Sequence, residues 1–185
     1  MITHNKKINK DLCALLVIDL QERFASAIDG FDTVVANTVK AIEGANILDI
    51  PVIVTQQYPQ GLGETVSVIQ EKVKVSNVFD KTTFSALGSS EFKSWLEDSP
   101  VKQIILAGIE THVCVAQTAV DLLALGYEVF ILEECLSSRT QLNKANGIDR
   151  IKSAGAYAYN VESFFFEAMG ASTHPNFKEI SKLVK

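Results

Sequence analysis

Short apolar runs, rich in β-branched residues and apolar on both faces, recur along the chain at residues 12–18, 51–54, 101–107 and 127–132. A strand that is apolar on both faces must be covered on both sides, as a buried parallel strand is. Residues 156–159 and a stretch near 73–79 are weaker strands of the same kind. Helical patterns lie between these runs. Phe31, Val35, Val39, Ile42 and Ala45 recur at spacings of three and four, as do Val115, Ala119 and Leu122, with Leu123 one residue on and Gly126 placed to end the helix. Further helices are expected over 90–97, 141–153, 161–169 and 176–183. This alternation of strand and helix predicts a parallel sheet with helices on both faces. In that architecture the chemistry lies just beyond the carboxyl ends of the strands.

No linker, repeat or composition shift divides the 185 residues, and the four prolines and ten glycines fall singly between periodic segments. The expected organisation is an N-terminal extension over 1–10 and one domain over 11–185. With 47% apolar residues the chain can bury a sizeable core, yet its longest unbroken apolar run, 12–18, has seven residues. A membrane-spanning helix needs ~20, so no membrane partner is expected. Seventeen Lys+Arg against 22 Asp+Glu give a net charge of -5 with no basic cluster. Nucleic acid is therefore not an expected partner, because a phosphate-tracking surface requires a basic stripe.

Cys13, Cys114 and Cys135 are too few and too scattered for a disulfide framework, and no C-x-x-C pair is present. His4, His112 and His174 lie far apart with no metal-binding pattern. A reducing, cytoplasmic location with no metal and no other cofactor is expected. The basic start, Met1-Ile2-Thr3-His4-Asn5-Lys6-Lys7, leads into a core-like strand without a small-residue cleavage site, so no secretory leader is expected.

Three strand ends carry side chains with chemical potential. The first run ends in Val17-Ile18-Asp19-Leu20-Gln21, which sets a carboxylate at the edge of an apolar strand, where its surroundings can tune its pKa. A helix cap or turn is the more common use of such an aspartate. The fourth run ends in Leu106-Ala107-Gly108 and continues Ile109-Glu110-Thr111-His112-Val113-Cys114-Val115 into a helix, so Cys114 falls in a first helical turn, where free N–H groups favour a thiolate. A small core residue is the alternative use of that cysteine, and it is the favoured one for Cys13 and Cys135. Lys81, in Phe79-Asp80-Lys81-Thr82-Thr83-Phe84-Ser85, is either a partly desolvated cation near an anion or a solvated surface charge.

Taken in order, the V-I-D-L-Q around Asp19, the F-D-K-T-x-F-S around Lys81 and the G-I-E-T-H-V-C-V around Cys114 resemble the isochorismatase-like cysteine hydrolase superfamily. The resemblance runs from about Asp11 to the C-terminus and is nearest the isochorismatase-domain-containing subgroup, through Pro51-Val52-Ile53-Val54-Thr55-Gln56-Gln57-Tyr58-Pro59, Gly61-Leu62-Gly63, Ser137-Ser138-Arg139 and His174-Pro175-Asn176-Phe177-Lys178-Glu179-Ile180. It implies an α/β fold, a three-layer αβα sandwich with a six-stranded parallel sheet. It also implies a triad of Cys114 as nucleophile, Asp19 as base and Lys81 as the cation near both. A cis peptide between Ile109 and Glu110 is implied as well, turning the Glu110 N–H towards that of Cys114 as an oxyanion hole. Gln21, Gln57, Tyr58, Phe84 and His112 are candidate pocket residues, each with packing or capping as its alternative.

Nicotinamidases of this superfamily carry an Asp-x-His metal cluster after the second strand, where this chain has Thr55-Gln56-Gln57-Tyr58-Pro59-Gln60. Metal-dependent nicotinamide hydrolysis is therefore disfavoured. The expected activity is hydrolysis of a small amide, ureide or related acyl substrate through Cys114. Isochorismatase-type vinyl-ether cleavage, which would need Asp19 but not Cys114, is one alternative. A non-catalytic interaction module and a reversible thiol sensor are the others. Homo-oligomers are common in the superfamily, and Phe164-Phe165-Phe166 serves either a subunit interface or a buried helix face.

Overall fold

The computed structural model describes residues 6–185; residues 1–5, which include His4 and half of the expected extension, lie outside the described residues. Six strands, β1 (Cys13–Ile18), β2 (Val52–Gln57), β3 (Val78–Lys81), β4 (Gln103–Gly108), β5 (Glu128–Leu136) and β6 (Tyr157–Tyr159), form one sheet in the order β3-β2-β1-β4-β5-β6. Every pairing is parallel. The helices are α1 (Phe31–Ile47), α2 (Pro59–Leu62), α3 (Ser67–Gln70), α4 (Ser90–Asp98), α5 (Ala116–Ala124), α6 (Gln141–Ser153), α7 (Val161–Met169) and α8 (Phe177–Leu183).

The two-residue period of a strand explains why both faces are apolar. In β1, Leu15 and Val17 join a core built with Phe31, Ile42, Phe164, Phe165 and Ile180 from α1, α7 and α8. Ala14, Leu16 and Ile18 join the opposite core, with Phe92, Leu96, Ala119, Leu122 and Ile151 from α4, α5 and α6. The result is the three-layer sandwich with a six-stranded parallel sheet. Among the described residues no helix is long and apolar enough to cross a membrane. Ile8, from the segment expected to be an extension, is buried in the first core, and its N–H donates to Glu167 at 3.0 Å.

Helices α6 and α7 span the residues expected of them, and Gly126 stands just past α5 at φ 86°. Other elements differ for physical reasons. The third strand lies at Val78–Lys81, not near 73–79, because residues 75–77 turn as a 3-10 segment and leave Val75 89% exposed. Strand β2 runs beyond its apolar stretch through Thr55, Gln56 and Gln57, whose side chains find polar partners inside the protein. In α7, Phe164 and Phe165 are buried while Phe166, 37% exposed, stacks on Phe177 with ring centroids 6.0 Å apart. Most of that aromatic run is therefore helix core.

The order of the strands places the site. From β1 the chain winds outwards to β2 and β3, then crosses back to β4 on the other side of β1 and continues to β6. The direction reverses between β1 and β4, and at such a switch point the loops beyond the strand ends part to leave a crevice.

Candidate active site

Register aligns the ends of the four strands that meet at the crevice. Ile18 pairs with Thr55 on one side and Gly108 on the other, while Gln57 pairs with Lys81. The next residue after β1 is Asp19, at φ 55° and 1% exposed. Lys81 closes β3 and reaches across β2, so its Nζ lies 2.7 Å from Asp19 Oδ2, with both side chains buried. Thr55 Oγ1 donates to the other carboxylate oxygen, Oδ1, at 2.8 Å. Both carboxylate oxygens thus accept, as an ionised carboxylate requires.

Lys81 is saturated by the protein. Besides Asp19, its Nζ meets Gln57 Oε1 at 2.7 Å and the carbonyls of Thr83 and Phe84 at 3.2 and 3.1 Å. An ammonium has three donors and no acceptor, and every neighbour here is an oxygen acceptor.

After β4 the chain turns at Gly108, whose φ is 118°; a Cβ there would collide with the Ile18 backbone. The next peptide, Ile109-Glu110, is cis. Residues Thr111–Val115 then form a π-helical turn, and α5 begins only at Ala116. Cys114 therefore stands inside the π turn and not in the first turn of an α-helix. The turn is tied to the loop after β5, since Thr111 donates its N–H and its hydroxyl to the Ser137 carbonyl at 2.9 and 2.8 Å. The Glu110 carboxylate grips Arg139 through Nε at 3.1 Å, Nη2 at 3.0 Å and the backbone N–H at 3.2 Å.

Cys114 is 8% exposed, and Asp19, Lys81 and the Glu110 backbone N–H all lie near enough to act on its thiol. Burial is the largest influence on the thiol, the Asp19 charge adds to it, and Lys81 offsets only part, so its pKa rises to about 12. That upward direction is opposite to the one expected of a cysteine at a helix N-terminus. Burial also pushes the Asp19 carboxyl up, against the pull of Lys81, Thr55 and the thiol.

The five expected pocket residues divide by role. Gln21 is fully buried and spent on backbone: it accepts from Gln57 N–H at 2.8 Å and donates to the carbonyls of Gln57 and Gly63. Its contacts make it a clamp between loops. Gln57 holds Lys81 and donates to the Thr82 carbonyl at 2.8 Å. Tyr58, 53% exposed, lays its ring over Gly61, where a Cβ would collide with it. Phe84 is 55% exposed, and its carbonyl serves Lys81. His112 is half-buried, its Nδ1 3.1 Å from Ser138 Oγ.

Thr55 was outside the expected site, and its signal was a strand that stays regular while turning from apolar to polar at Thr55-Gln56-Gln57. Strand β2 turns Thr55 and Gln57 onto the Asp19–Lys81 pair. Among the described residues no three of His, Cys, Asp and Glu gather as metal ligands.

A six-stranded parallel sheet flanked by helices, with Asp19 and Cys114 at its switch point, defines an isochorismatase-like α/β hydrolase fold. The Isochorismatase domain model matches residues 13–163, and the chain belongs to the isochorismatase family. Isochorismatase domain-containing protein 1 of Salmo salar is 40% identical over 167 residues, 90% of this chain but 59% of that protein's length. Secreted isochorismatase effector Isc1 of Phytophthora sojae (strain P6497) is 40% identical over 175 residues, 92% of this chain and 83% of the effector. Among solved structures, MAR1 ribonuclease from Caenorhabditis elegans is 40% identical with a TM-score of 0.92, covering 97% of this chain and 92% of that one.

Proposed function

We propose that this chain hydrolyses a small amide, ureide or related acyl compound through a covalent intermediate on Cys114. The observation that carries the reading is the buried ion pair of Asp19 with Lys81, 2.7 Å apart, with the Cys114 thiol near enough for both charges to act on it. A thiol with a pKa of about 12 does not ionise ahead of attack; its proton passes to Asp19 as sulfur bonds to the carbonyl carbon. Burial raises the Asp19 carboxyl and so makes it a stronger base for that transfer. The backbone N–H groups of Glu110 and Cys114 hold the oxyanion, and one such donor is typically worth ~2.7–4 kcal/mol. Asp19 then passes its proton to the leaving nitrogen. Water, deprotonated by Asp19, cleaves the thioester and returns the proton to sulfur.

The acidic balance of the chain supports a small substrate over a polyanion. No metal or other cofactor takes part in this scheme. Self-association belongs to the same proposal, with Val68, Leu125 and Leu142 exposed on the monomer. A reducing, cytoplasmic compartment suits the three free cysteines.

The deciding experiment is a screen of amides, ureides, esters, a vinyl ether and RNA with wild type, Cys114→Ala and Asp19→Asn. Acyl hydrolysis lost in both variants is the expected result. Turnover that survives Cys114→Ala but not Asp19→Asn would transfer the reading to vinyl-ether cleavage. RNA cleavage as the main activity would also overturn it.

A further inference from the structure

Thr118 lies on α5, one turn beyond Cys114, and is fully buried. Its hydroxyl donates to the Cys114 carbonyl at 2.7 Å. A threonine that bonds back to the carbonyl four residues earlier is common in helices, and alone it would mean little. Here the acceptor side of the same hydroxyl is also used. The Ala86 N–H donates to Thr118 Oγ1 at 2.9 Å in a buried contact.

Ala86 closes the segment whose carbonyls, at Thr83 and Phe84, grip Lys81 Nζ. That segment is stiffened by the Thr83 hydroxyl, which donates to the Ser85 carbonyl at 2.8 Å. A ring of contacts results: Cys114 to Asp19 to Lys81, from Lys81 to the carbonyls of residues 83 and 84, from Ala86 to Thr118, and from Thr118 back to Cys114. Lys81 and Cys114 come from strand ends that are not neighbours in the sheet, since β2 and β1 lie between them. Beside the packing of Ala86 in one core with Cys114 and Val115, the Thr118 link is the directional tie between the Lys81 segment and the nucleophile turn.

We propose that Thr118 is a positioning residue that locks the segment carrying the Lys81 ligands to the Cys114 turn, and so sets the cation's distance from the sulfur. This deepens the cysteine-hydrolase reading and rests on it for the turnover readout, though not for the thiol readout. Thr118→Val keeps the volume and removes both bonds; Thr118→Ser keeps both. Ala86→Pro removes the donor from the other side. The backbone there accepts proline, being the first residue of a 3-10 turn preceded by Ser85 in extended backbone at φ -68° and ψ 138°, while the ring takes the place of the N–H aimed at Thr118 Oγ1 and pushes the two segments apart.

The test measures iodoacetamide labelling of Cys114 across pH, by mass spectrometry, and kcat and KM on whichever acyl substrate the wild type turns over. Thr118→Val and Ala86→Pro should each slow labelling about threefold or more, equivalent to roughly half a pKa unit. They should lower kcat about tenfold with KM little changed, as a misplaced catalytic array does. Thr118→Ser should restore wild-type behaviour within about twofold on both measures. Combined, Thr118→Val and Ala86→Pro should cost little more than either alone, because both cut one link. Labelling that is unchanged or faster in Thr118→Val would overturn the proposal, as would a Thr118→Ser variant as impaired as Thr118→Val. Labelling needs no substrate, so it judges the link even if Cys114→Ala retains turnover and the hydrolase reading fails.

Discussion

At the scale of single residues, the site is an arrangement of charges in which burial opposes ionisation. Cys114 is less deeply buried than Cys13 or Cys135, at 8% exposure against 1% and 0%. It should therefore be the first of the three cysteines to take iodoacetamide, with a rate still climbing above about pH 9. Lys81→Met should slow that labelling, since it removes the one cation offsetting Asp19. Labelling of Cys13 or Cys135 first, or a Cys114 profile indifferent to Lys81→Met, would contradict the geometry. The same shift has a thermodynamic consequence. The folded-state pKa of about 12 exceeds the ordinary 9.0, so the folded chain holds this proton longer than the unfolded chain does. The resulting stabilisation is complete below about pH 9 and is lost as pH rises towards about 12, with roughly 4 kcal/mol as its ceiling. Urea midpoints measured at about pH 8 and about pH 10.5 should fall less steeply in Cys114→Ala than in wild type.

At the scale of elements, the polar end of β2 and the π turn after β4 do the positioning. Strand β2 delivers Thr55 to Asp19 and Gln57 to Lys81 from one regular strand. The π turn is held from outside, by Ser137 on Thr111 and by Gly147 of α6, where a Cβ would collide with the Thr111 and His112 backbone. Gln21 performs a similar service between the loops after β1 and β2. Gln21→Leu would strand the Gln57 N–H and the Gly63 carbonyl in a partly buried setting. The expected cost is about 2–4 kcal/mol of stability, read from urea denaturation. A loss below about 0.5 kcal/mol would show that water replaces the clamp without penalty.

At the scale of the whole molecule, a sheet that reverses its winding between β1 and β4 brings Asp19, Lys81 and Cys114 together at one end of its strands. Turnover in the proposed scheme passes entirely through side chains and backbone amides. Exhaustive chelation should therefore leave activity intact, and loss restored by a stoichiometric divalent ion would defeat the scheme. Sedimentation velocity at micromolar protein should show a species heavier than the 20.2 kDa monomer. A monomer there would count against obligate self-association, and the exposed Leu125 and Leu142 would then be isolated surface apolar residues.

The parallel sheet, its two covering layers, helices α6 and α7 and the family resemblance were all legible in the amino-acid order. Burial is imposed on near neighbours along the chain, and the period of apolar residues records it. The site was legible as three motifs but not as an arrangement. Asp19 and Lys81 stand 62 residues apart, and only the register of Ile18 with Thr55 and of Gln57 with Lys81 brings them into one ion pair. Gln21, polar at a strand end, reads as a pocket residue until the folded loops are seen to occupy its amide. The protonated state of Cys114 is likewise a tertiary property, because desolvation and the opposing charges of Asp19 and Lys81 depend on distances through space. Apolar burial is short-ranged in sequence and leaves a pattern there; hydrogen bonds and fields join residues that only the completed fold makes neighbours.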